Sequence, residues 1–121
     1  MPTGERRLSP EEQAVILALL AQDFPGADEF RAQVPSAVVT GGCRCGCATV
    51  NLRPGTGPAA LDSPIRYGVL VSAYVRTRGD GVLLFVEDGH LSCLEVYATE
   101  DEPAPLPHPE DLAVDPPGPW E

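Results

Sequence analysis

Lysine is absent: all eight basic residues of this 121-residue chain are arginine, against 18 acidic residues and a formal net charge of −10. That excludes a Schiff-base lysine and the lysine of a phosphate loop. It also argues against DNA or RNA as a partner, because phosphate binding needs clustered Lys or Arg. Such a surface leaves room for a basic partner protein, although most acidic surfaces serve only solubility. Long apolar runs are missing too. Residues 14–21 form the longest, far short of the roughly 20 needed to cross a bilayer. Residues 1–10 hold no signal-length apolar run, and Glu11 and Glu12 stand where a signal peptide carries basic residues. The expectation is a cytoplasmic protein with no membrane partner. Catalytic signatures are missing as well: no Gly-x-Ser-x-Gly, no dinucleotide or phosphate-binding glycine loop, no His-Glu-x-x-His. The acids Glu87/Asp88 and Glu100-Asp101-Glu102 read as solvated charge. The expectation is therefore a protein that is not an enzyme.

What is present reads as one α+β domain, residues 1–121, with residues 1–8 frayed. Ser9, Pro10 and Glu12 mark a helix start with a capping box, and Val15, Ile16, Leu19 and Leu20 follow at helical spacing. A second short helix is expected from Ala27 to Gln33, with Phe30 and Val34 as anchors. These two N-terminal helices should pack on an antiparallel β-meander of about five strands, near residues 37–43, 47–53, 67–77, 82–87 and 91–98. In the third, Val69, Val71, Ala73 and Val75 should share one face, opposite Leu70, Ser72 and Tyr74. Asp88-Gly89 is a type I′ hairpin signal, pairing Glu87 with His90 and Leu84 with Cys93. His90 and Cys93 then point to opposite faces, which weakens a His-x-x-Cys metal reading. Residues 100–121 hold seven of the 14 prolines and no basic residue. They read as an extended acidic tail on the sheet, docked by Leu106, Leu112, Val114 and Trp120. His108, between two prolines of that tail, reads as an exposed loop residue.

The most informative stretch is Gly41-Gly42-Cys43-Arg44-Cys45-Gly46-Cys47. In one straight strand Cys43 and Cys47 would stand about 13 Å apart, too far to share a metal at Zn–S distances of about 2.3 Å. Arg44-Cys45-Gly46 instead fits a three-residue hairpin loop with Gly46 left-handed. Cys43 and Cys47 then face each other, with Cys45 at the tip. Cys43, Cys45 and Cys47 become candidate ligands for a thiophilic metal, Zn²⁺ above all, with Cys93 a weaker fourth. A Cys43/Cys47 redox pair is the alternative, since Arg44 favours a thiolate. Purely structural cysteines, with function exercised through a protein partner, are a third reading. Both sheet faces carry apolar residues (Val82, Leu84 and Val86 on one, Leu83 and Phe85 on the other), so the face without helices needs cover from the tail, a partner or a second copy in a homodimer.

Phe24-Pro25-Gly26-Ala27, the cysteine turn, and the segment from Leu84 to Glu95 together resemble small proteins of high-GC actinobacteria that carry a Cys-x-Cys-x-Cys turn. The resemblance covers residues 10–115. It implies an intracellular accessory role and brings no activity, ligand or catalytic residue.

Overall fold

Ser9 begins the first helix. In the computed structural model, which describes residues 5–24, 26–42, 48–55, 67–99 and 103–115, its hydroxyl accepts the Glu12 N–H at 3.1 Å, and the Glu12 carboxylate accepts the Ser9 N–H at 2.9 Å. The capping box satisfies two helix-end donors reciprocally. Helix α1 runs Pro10–Leu19 and α2 Ala27–Gln33. Val15, Ile16, Leu19 and Phe30 are fully buried, each burial worth about 1.5–3 kcal/mol.

The strands are β1 (Arg6–Arg7), β2 (Val38–Gly42), β3 (Val50–Arg53), β4 (Tyr67–Val75), β5 (Gly81–Glu87), β6 (His90–Tyr97) and β7 (Leu112–Val114). They form one antiparallel sheet in the order β1-β2-β3-β6-β5-β4-β7. The α+β class and antiparallel sheet are as read from the sequence. The five-strand meander is corrected. β4, β5 and β6 do follow one another, but β3 pairs with β6, and two short strands add the edges. Residues 54–66 separate β3 from β4, and β4 lies three strand spacings, about 14 Å, from β3. Such a connection has length to spare. Thr49 helps choose the neighbour: its hydroxyl accepts the Val96 N–H at 2.9 Å and donates to the Val96 carbonyl at 3.1 Å.

β1 falls in the stretch read as frayed. Arg6 pairs with Val39 and Arg7 with Val38, and the Arg6 guanidinium reaches the buried Glu12 carboxylate with two bonds of 2.8 and 2.9 Å. In the tail, β7 pairs with β4, Leu112 is buried, and Ala104 accepts the Ala48 N–H at 3.0 Å. Trp120 lies outside the described residues.

Two bulges redirect side chains. One between Val69 and Val71 shifts the β4–β5 register, so Leu70 turns into the core and Val69 is exposed. The expected grouping of Val69 with Val71 is thus corrected, because an extra residue inverts the alternation beyond it. The second bulge falls where β6 gains a residue, pairing Phe85 with Cys93 and Leu84 with Leu94. The expected Leu84–Cys93 pair is corrected for the same reason. The helices cover the face carrying Val71, Ala73, Val82, Leu84, Val86, Leu94 and Val96, all in one buried core.

Candidate functional site

Among the described residues no helix lies over the opposite face. Its cross-strand rows follow from the register. Tyr74, Gly81 and Tyr97 form one row; Ser72, Leu83 and Glu95 the next; Val69, Phe85 and Cys93 a third; Tyr67, Glu87 and His90 a fourth. Tyr67 is 66% exposed, Tyr74 52%, Tyr97 45% and Val69 40%. Four large apolar or aromatic side chains thus stand exposed on one sheet face, and exposed apolar surface gathered on one face marks an interaction surface more often than isolated exposed residues do.

Gly81 shapes the first row. A Cβ there would stand 1.9 Å from the Tyr97 Cζ, so the ring lies directly over the glycine backbone, beside Tyr74. Strand pairing, not the local sequence, brings Tyr74 and Tyr97 to either side of this glycine, where a ring covers the bare backbone.

The Asp88-Gly89 turn forms as expected, with φ of 54° and 78°, and Glu87 pairs with His90. The Asp88 carbonyl lies 3.0 Å from His90 Nδ1, and the Tyr67 hydroxyl donates to the Asp88 carboxylate. Beside this turn Arg53, Glu87, Asp88 and His90 edge an open cleft of about 250 Å³, also lined by Leu52, Leu91 and Ser92. Its lining mixes both charges with apolar side chains.

Cys93 is half-buried and free. Burial pushes its thiol up to about 11, and the Glu95 carboxylate adds to the shift. This is the reverse of the depressed thiol that metal or redox work needs. The expectation that His90 and Cys93 face opposite ways is corrected: past the bulge, Cys93 shares the helix-free face with Phe85, Glu87 and His90. Among the described residues no three His, Cys, Asp or Glu side chains converge to hold a metal ion.

Cys43, Cys45 and Cys47 lie outside the described residues. The ladder beside them is visible, however. Gly42 pairs with Val50 and Gly41 with Asn51, with a bulge after Val39. Glu100-Asp101-Glu102 is likewise outside, and His108 is exposed ahead of a short 3-10 turn over Pro109–Asp111.

The charge balance is uneven. Among the described residues Arg6, Arg31, Arg53 and Arg78 are held by Glu12, Asp28, Glu5 and Asp80. Glu87 and Glu95, on the helix-free face, have no arginine partner among them. No helix of the described residues is long and apolar enough to cross a membrane. Compared with known proteins, the chain matches no family model, and no curated protein and no solved structure matches it significantly.

Proposed function

We propose that the protein is a non-enzymatic interaction module of the cytoplasm that engages a protein partner through the helix-free face of its sheet. The observation that carries this reading is the exposure of Tyr67, Val69, Tyr74 and Tyr97 on one face around Leu83 and Phe85. The acidic charge directs the reading to a protein rather than to nucleic acid. The test is a photo-crosslinking residue at Tyr74 or Tyr97 in living cells, with the exposed helix position Leu17 as control. A discrete adduct from the tyrosines, absent from Leu17 and abolished by Phe85→Ser, is expected. The same adducts from all three positions would overturn the reading. An adduct of twice the chain's mass would identify the partner as a second copy.

A second reading concerns the cysteines, and the β2–β3 ladder favours it. Gly42 opposite Val50 anchors both ends of the segment that carries Cys43, Cys45 and Cys47, which lowers the entropy cost of gathering three thiols. In this reading they hold Zn²⁺ in the reduced protein. Metal content after purification under reducing conditions tests it, with Cys43→Ser and Cys47→Ser alongside. Bound zinc that both substitutions release is expected. Less than about a tenth of an equivalent, with thermal stability indifferent to chelator, sinks the metal reading. A reversible disulfide between Cys43 and Cys47 without metal would establish redox chemistry instead.

A further inference from the structure

Resting on the reading of the helix-free face as a docking surface, we infer that its occupant is an arginine- or lysine-bearing segment of a partner protein, seated with its cation between the Tyr74–Tyr97 row and Glu95. Glu95 lies two residues from Tyr97 on β6 and opposite Leu83. Alternate residues of a strand lie on one face about 6.8 Å apart. The hydroxyl end of the Tyr97 ring occupies the space over Gly81, with Tyr74 on the far side, giving an aromatic surface with a carboxylate one row away. Ring faces attract cations, and a guanidinium stacks on them while its fork bonds a carboxylate. The aliphatic stem of arginine or lysine would cross Leu83, which suits an amphipathic side chain.

Charge singles out this occupant. A second copy would bring Glu95 and Glu87 against an equally acidic face, whereas a basic segment supplies what they lack. The described arginines do not serve them. Arg53 is bonded to Glu5, Arg7 stands at the β1 edge, Arg76 turns to the Glu110 carbonyl, and Arg78 is held by Asp80. Glu95 is partly exposed beside Leu83 and two residues from Tyr97, so a bound partner would bury its charge. Such a charge calls for an opposite one in the partner.

The test is a titration of the ¹⁵N-labelled full chain with three twelve-residue peptides of alternating leucine, carrying arginine, glutamate or serine between. The arginine peptide is expected to shift amides of the Tyr74, Gly81, Tyr97 and Leu83, Glu95 rows, at an affinity that falls with added salt. Glu95→Gln should weaken it roughly three- to fivefold and Tyr97→Ala roughly two- to fivefold, each variant keeping the wild-type spectrum elsewhere. If the serine or glutamate peptide binds the face as well as the arginine one, docking stands and the cationic occupant is wrong. If no peptide shifts the face, both readings fail. Arginine-peptide shifts scattered over the acidic surface of α1 and indifferent to Glu95→Gln overturn the inference as unspecific attraction. Concentration-dependent shifts of the face without peptide overturn it in favour of self-association.

Discussion

Gln33 and Leu91 are bonded across 58 residues of chain: the Gln33 side-chain oxygen accepts the Leu91 N–H at 2.9 Å, and its amide nitrogen donates to the Gly89 carbonyl at 3.0 Å. Gln33 is itself buried. One side chain thus fastens the β5–β6 turn to the end of α2 by satisfying a backbone donor and a backbone acceptor.

Gln33→Leu removes both bonds and leaves two buried backbone groups unpaired. A loss of about 2–4 kcal/mol is expected from urea unfolding. Amide exchange at Leu91 should accelerate more than at Val96. A loss below about 0.5 kcal/mol would show that water replaces the clamp.

Glu12 sets an acid limit. Its bonds from Arg6, foremost, and from Ser9 hold the carboxyl below its ordinary value of 4.5 against the opposing effect of burial. Because the folded value is the lower one, the associated stability is present above 4.5 and disappears as pH falls through the folded value. Glu12→Gln should cost about 1–2 kcal/mol at neutral pH. The gap from the wild type should close as pH drops below 4.5. A gap constant from pH 7 to pH 3 would assign the effect to packing.

Cys93 should be a slow thiol. With Cys43, Cys45 and Cys47 changed to serine, its rise from 9.0 to about 11 predicts roughly a hundredfold less thiolate than an ordinary cysteine at pH 8, with disulfide-reagent kinetics slowed accordingly. Glu95→Gln should quicken the reaction modestly, since burial is the larger cause. Reaction at the rate of a free thiol would contradict the burial.

Thr49→Val removes both bonds to Val96. We expect a loss of about 1–2 kcal/mol, concentrated in faster exchange at the Val96 amide. An unchanged Val96 amide would mean that the backbone ladder alone fixes β3 beside β6.

The contrast between near and far interactions explains what could be read from the chain. The capping box at Ser9 and Glu12, the core stripe of Val15, Ile16 and Leu19, and the Asp88-Gly89 turn were determined by the sequence itself. Each depends on groups within a few residues of one another, and its energy is spent locally. The α+β class followed from the same local signals. The tertiary structure decided the rest. Whether β3 lies beside β4 or β6 depends on pairing at long range, through contacts such as Thr49 with Val96. The bulges in β4 and β6 arise where paired strands differ in length between fixed points, and each inverts the faces of residues already assigned. That inversion moved Val69 and Cys93 onto the helix-free face, and pairing set Tyr74, Gly81 and Tyr97 in one row. A strand's period of two tells which residues share a face, but only its partners decide which face meets the helices.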